Sequence, residues 1–301
     1  MPMPKVSILL PVRNAAVFLP EAIASLDAQT FCHWECLAID DGSTDSSSTL
    51  LECWQQRDER VRIIKGHGKG IVQALNRALA LASAPLIARM DADDISLPGR
   101  LEQQVHFLST HPDIIACGTG ALMIDPAGRA LCPINPPQAH DTIMDALLRG
   151  GATAIVHPTL MVRKKPLEAI HGYREPYRHV EDYDLYLRLS DCGKLANLGD
   201  ILLHYRQHPS SANVTQRLIQ RELRLSALND YRRSRDLDDM TDLPFGRQHL
   251  NSLADLYADW SNKAAIGGHT GVAMYYALRS ILREWWKLKR WKLIWQAFAL
   301  R

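Results

Sequence analysis

The sequence predicts an α/β fold with a mainly parallel central sheet and an all-α C-terminal extension, and three observations carry that expectation. Short apolar runs alternate with helix-periodic segments through residues 1–118, the order that builds a parallel sheet covered on both faces. Four polar segments, PVRN, DDGSTD, HGKG and DADD, follow the first four runs, where an open sheet of this kind binds ligands. From Thr215 onward strand signals stop and helical patterns follow one another, broken near Pro244 and at Gly267, Gly268 and Gly271.

In order, the elements are a strand VSILL at 6–10, a helix over 17–29, a strand ECLAID at 35–40 and a helix over 45–57. Next come a strand VRIIK at 61–65, a helix from Gly70 to Ala82, a strand LIARM at 86–90, a helix from Pro98 to Ser109 and a strand IIACG at 114–118. Right-handed crossovers put the loops after these strands on one edge of the sheet. Residues 119–213 are less regular, with turn prolines Pro126, Pro133, Pro136 and Pro137, a helix over 139–149, a strand TLMVR at 159–163 and a helix over 181–191. The expected units are therefore 1–213, split into a regular half 1–118 and a less regular half 119–213, and a helical region 214–301.

The 301 residues suffice for a large core, and 47% hydrophobic against 23% charged residues excludes a disordered or low-complexity chain. A net charge of +2 excludes a nucleic-acid binder, which needs clustered cations along a groove; the basic excess lies in the tail after residue 214. The six cysteines form no C-x-x-C pair and no zinc spacing, so reduced thiols in the cytoplasm are expected. The N-terminal apolar run breaks at Arg13 without a cleavage site, and the apolar stretches are too short to cross a bilayer.

Three acidic segments call for chemistry. In AIDDGSTDSS, Gly42 suits the turn and Ser43, Thr44 and Asp45 suit helix capping, but capping explains the adjacent Asp40 and Asp41 poorly, since neighbouring anions repel. In RMDADDISLPGR three carboxylates follow a buried strand. The helix dipole accounts for Asp94 alone, whereas Asp91 and Asp93, one residue apart, suit a hard cation such as Mg²⁺ or Mn²⁺ held with substrate phosphates. In HVEDYDLYLRL, Glu181 and Asp182 open a helix, an ordinary position for carboxylates when taken alone. HGKGIVQ lacks the spacing of a phosphate-binding P-loop.

Together with VSILLPVRNAAVFLPEAIASLDAQTF, GIVQALNRALALA, HPTLMVR and YRQHPSSAN, these segments form an ordered set over residues 4–210 that resembles the family 2 glycosyltransferases. Those are inverting enzymes of the GT-A (Rossmann-like) nucleotide-diphospho-sugar transferase fold, and the likeness is to bacterial members that build surface polysaccharides. The resemblance implies a UDP-sugar donor on a nucleotide-sugar half 1–118, a glycan or lipid-linked glycan acceptor on an acceptor-side half 119–213, and Mn²⁺ or Mg²⁺ as cofactor. By matching position it implies that Asp41 reads the uracil edge, that Pro11, Arg13 and Asn14 line the base and ribose, and that Asp91, Ala92 and Asp93 form the D-x-D element. Asp93 is the metal contact, Asp91 a ribose or metal contact, and Asp94 a support. Asp182 of the Glu-Asp motif is implied as the general base that deprotonates the acceptor hydroxyl.

His208 is either a metal ligand or a surface-loop histidine. His157 and Glu181 belong to the acceptor side, and His157 also suits a packing role. One departure stands out: many members read Ala-Arg-Asn where this chain has Ala74, Leu75 and Asn76, so Lys69 or Arg77 would have to supply the missing cation. A nucleotidyltransferase would show a glycine-rich basic loop after the first strand, which PVRNAAVF is not. A non-catalytic carbohydrate- or partner-binding module would have no need of four acids at these positions.

Over 279–301, Ile281, Trp285, Leu288, Trp291, Trp295 and Phe298 recur at steps of three or four among seven basic residues and one acid. A core-facing helix and an interfacial helix on anionic lipid share that pattern, so peripheral contact with the inner face of the cell membrane is an expectation alongside simple packing.

Overall fold

The computed structural model describes residues 3–244 and 252–299; Leu300 and Arg301, at the end of the basic tail, lie outside the described residues. Strands β1 (Val6–Val12), β2 (Trp34–Asp40), β3 (Val61–Lys65) and β4 (Leu86–Arg89) alternate with helices α1 (Leu19–Asp27), α2 (Ser47–Arg57) and α3 (Ile71–Leu81). All three pairings among these strands are parallel, with Val6 opposite both Trp34 and Leu86. Their C-terminal ends therefore share one edge, which brings the loops after β1, β2 and β4 together.

Beyond β4 the sheet changes character. The short strand β5 (Ile95–Ser96) leads into helix α4 (Arg100–Thr110) and then β6 (Ile114–Ile124), β7 (Ala130–Ile134), α5 (His140–Leu148), β8 (Met161–Arg163), α6 (Lys164–Ala169), α7 (Glu181–Leu189) and β9 (Lys194–Arg206). The strand order is β3-β2-β1-β4-β8-β6-β9-β5, with β7 on β6. β6 and β9 pair in parallel, whereas β8, β5 and β7 run antiparallel to their neighbours. The parallel core expected from the sequence is thus completed by an antiparallel portion, giving a mixed sheet.

Both faces are covered. Leu75, Ala78, Leu147, Leu185 and Leu189 pack on one side, and Leu19, Leu26, Leu51, Trp54, Leu101 and Leu108 on the other. After α8 (Ala212–Thr215), helix α9 (Arg217–Arg233) buries Ala227 and Leu228 in the first of these cores. Helices α10 (Leu253–Ile266), α11 (Thr270–Arg283) and α12 (Leu288–Ala299) build a separate cluster around Trp260 and Tyr276, docked on Leu131 of β7. No helix among the described residues is long and apolar enough to cross a membrane.

The tail departs from a single core-facing stripe. Residues 284–287 interrupt the helix, so Ile281 on α11 is buried while Trp285, Leu288, Trp291, Trp295 and Phe298 are exposed. Arg290, Leu293 and Ala297 face inward instead, with Arg290 held by Glu284 and Asp255.

Candidate active site

The two adjacent acids after β2 have separate tasks. Asp40 accepts from the Ser43 N–H at 2.9 Å and from the Ser48 hydroxyl, so it organises the turn into α2. Partial burial works against its charge, but these hydrogen bonds outweigh it and hold the carboxyl below the usual range. Asp41 points the other way and accepts from the N–H groups of Lys69, at 3.2 Å, and Gly70, at 2.7 Å, ahead of α3. Each carboxylate oxygen keeps a further lone pair for a ligand N–H. Gly66 must be glycine here, because a Cβ would lie 2.7 Å from the Asp41 Cα.

The loop after β1 is tied to the loop after β2. Asn14, at φ +51°, accepts from the Thr44 N–H at 2.8 Å and donates its own N–H to Ser43 Oγ. Asp45 does not cap α2 through its first turn alone; it also accepts from the Ala16 N–H at 3.0 Å. Arg13 projects beside Asp41, with Nη1 3.9 Å from Oδ2.

After β4, Asp91, Asp93 and Asp94 bring carboxylate oxygens within 4.8 Å of one another. Burial raises the Asp91 pKa; the Arg89 guanidinium, 2.5 Å away, opposes the rise and Asp93 reinforces it. Burial followed by repulsion from Asp93 and Asp91 pushes Asp94 well up. Asp94 Oδ1 accepts from the Arg206 N–H at 2.8 Å, and its buried Oδ2 has no hydrogen-bond partner among the described residues. His208 Nε2 stands 2.9 Å from Asp93 Oδ2. Crowded hard oxygen donors with an adjoining imidazole fit a divalent cation, which would relieve this mutual repulsion.

The loop is held from behind by arginines whose role is not legible from the motifs that contain them. Fully buried Arg100 donates to the Pro158 and Arg89 carbonyls at 2.5 and 3.1 Å. Buried Arg206 donates to the Asp93 carbonyl at 2.8 Å, pairs with Glu21 and lies over the Phe18 ring, itself 5.1 Å from His208.

At the start of α7, Glu181 accepts from the His179 N–H at 2.8 Å, and Asp182 Oδ1 accepts from the Tyr183 N–H at 2.7 Å. Burial raises both carboxyls, Asp182 to about 6 and Glu181 to about 7, with their mutual repulsion adding to the rise of Glu181. His157 is held strongly toward its neutral form, first by burial and then by Arg89, and its Nε2 lies 3.1 Å from the Tyr173 hydroxyl.

These pieces line one cavity of about 980 Å³. Pro11, Arg13, Asn14, Asp91, Ala92 and Asp93 form one end, and His157, Glu181, Asp182 and His208 open into the same space. Asp41 meets it through Arg13 rather than directly. Arg89, Arg206, Arg224 and Lys263 add cations to the wall, whereas Lys69 and Arg77 are not part of it. Arg77 lies 2.5 Å from His67, and Asn76 brackets the Tyr173 backbone. Arg89 was recoverable in principle, since an arginine inside an apolar strand needs an anion. Arg224 and Lys263 carry no local signal because they reach the cavity only through the docking of α9 and α10.

The profile of "Glycosyl transferase family 2" matches residues 7–170. The O-antigen biosynthesis glycosyltransferase WbnJ of Escherichia coli is 32% identical over 210 residues, which span 68% of this chain and 81% of the relative. Among solved structures, S. aureus TarS 1-349 in complex with UDP-GlcNAc superposes over 96% of this chain and 89% of its own, with a TM-score of 0.59 at 16% identity. The mannosyltransferase PcManGT from Pyrobaculum calidifontis, in complex with GDP-Man and Mn²⁺, covers 99% of this chain and 80% of its own at TM-score 0.57 and 17% identity. At such identities the two structures establish a shared GT-A-like fold.

Proposed function

This chain belongs to glycosyl transferase family 2 and is a glycosyltransferase, and we propose that it moves a sugar from a UDP-sugar to a hydroxyl of a glycan or lipid-linked glycan, inverting the anomeric centre, in bacterial surface-polysaccharide synthesis. The carrying observation is that Asp182, with its raised pKa, opens into the same cavity as Asp91 and Asp93. The O-antigen biosynthesis named for WbnJ and the UDP-GlcNAc bound to TarS supply the polysaccharide setting and the UDP donor as analogies. Free thiols at all six cysteines suit action in the cytoplasm.

Asp93 and Asp91, with His208, would hold Mn²⁺ or Mg²⁺, and the ion when bound offsets charge on the departing diphosphate. Asp94 and Arg206 fix the backbone that presents these ligands. Asp41 takes the uracil edge, with Pro11, Arg13 and Asn14 against base and ribose. Asp182 removes the acceptor proton as the acceptor oxygen bonds to the anomeric carbon and the bond to the UDP oxygen breaks. A pKa near 6 keeps this carboxyl ionised at neutral pH yet more basic than a solvated aspartate. Glu181 and neutral His157 line the acceptor side.

A nucleotide-sugar panel with Mn²⁺, read as thermal stabilisation, tests the donor assignment. UDP-sugars should raise the melting temperature and GDP-sugars should not; the reverse order would transfer the assignment to guanine. Proton NMR of the first-formed product should show the anomeric configuration opposite to that of the donor.

A further inference from the structure

We infer that the corner formed by the end of α11, residues 284–287 and α12 is a docking surface for an anionic lipid membrane. Of the seven tryptophans, Trp34, Trp54 and Trp260 are buried, whereas Trp285, Trp286, Trp291 and Trp295 all stand exposed at this corner. Trp285 is 66% exposed, Trp295 73% and the neighbouring Leu288 83%. Burial in water-soluble packing does not account for them: α12 already turns Arg290, Leu293 and Ala297 inward.

The arrangement on α12 is directional. At about 100° per residue, Leu288, Trp291, Trp295 and Phe298 fall within an arc of about 80°, and Lys292 and Lys289 follow on its flank. An apolar outward arc bordered by lysines and tipped with indoles is the composition that settles at a headgroup boundary. Twelve residues make a helix of about 18 Å, which can lie in that boundary but not span it.

Charge selects the occupant. The single acid of the corner, Glu284, is taken by Lys287 and Arg290. Lys289 and Lys292 are left beside the tryptophans, and Arg279 and Arg283 stack over Tyr257 at the same end. A second copy meeting this face about a two-fold axis would set these cations against themselves. An anionic bilayer offers both a hydrocarbon boundary for the indoles and opposite charge for the lysines. The inference stands on the surface alone and does not need the reaction assigned above.

Co-sedimentation of the full chain with phosphatidylcholine vesicles, with and without phosphatidylglycerol, tests it. The account expects strong pelleting with the anionic vesicles, a blue shift of tryptophan emission, and at least a tenfold loss of partitioning for W285S/W295S and for K289E/K292E. These positions are exposed, so melting temperatures and UDP release in solution should match the parent chain, which separates failure here from failure of the proposed reaction. Absence of pelleting, equal pelleting with neutral vesicles, or variants that bind like the parent would overturn it. A concentration-dependent dimer abolished by W285S/W295S, without vesicle binding, would overturn it in favour of a second copy.

Discussion

Asp182→Asn should make the protein more stable and nearly inactive at the same time. Burial raises the Asp182 pKa from 3.8 to about 6. A carboxyl whose folded pKa lies above its unfolded value contributes its full stability below pH ~4 and loses it as pH rises through ~6. At 1.36 kcal/mol per unit the cost of the ionised form at pH 8 is at most about 3 kcal/mol; access to cavity water and coupling to Glu181 reduce it to about 1 to 2. Asparagine removes that cost while its Oδ1 keeps the Tyr183 N–H bond. Differential scanning fluorimetry at pH 8 should show a rise of about 2 to 6 °C, shrinking toward zero at pH 4. Turnover should fall by about 10² or more with donor affinity nearly unchanged. A variant destabilised at pH 8, or one as active as the parent, would refute the idea that a half-buried, desolvated base is maintained for catalysis.

For the parent enzyme, turnover should rise about tenfold per pH unit below pH ~6 and level off above it, as the base ionises; a profile flat from pH 5 to 8 would assign the proton to another group. Asp93→Ala should abolish the Mn²⁺-dependent part of the thermal stabilisation by UDP, whose total for the parent is about 2.7 kcal/mol at 100 times its Kd; an undiminished Mn²⁺-dependent part would remove Asp93 from the metal site. Gly66→Ala should cost about 1 to 3 kcal/mol because its Cβ would press on the Asp41 backbone, and should weaken UDP binding more than Mn²⁺ binding in calorimetric titrations. Equal loss of both would show that the damage is global.

The parallel half of the fold was legible because β1 to β4 are continuous apolar runs separated by amphipathic helices, and their four loops announce one edge. β9 was not, since Gly199 and Asp200 interrupt KLANLGDILLHYR, and only register with β6 shows it to be one strand. β6 likewise continues six residues past its expected end because β7 and β9 give it partners on both sides. The acidic motifs gave the residues of the cavity, yet their supports come from long range: Arg100 acts through Pro158, and Arg206 through Asp94 and Glu21. Helical periodicity found the tail stripe, but the outward direction of its tryptophans depends on how α12 docks. Periodicity has no sign for inside and outside.

Crystals grown with UDP and Mn²⁺ and measured for anomalous scattering put the central claim to its most direct test. The account predicts one manganese peak within ligating distance of an Asp93 oxygen, beside Asp91 and His208, with the diphosphate in the same cavity, the uracil edge at Asp41 and Asp182 left free of metal. A peak elsewhere, or a diphosphate bound outside the cavity that joins Asp91 to Asp182, would contradict it.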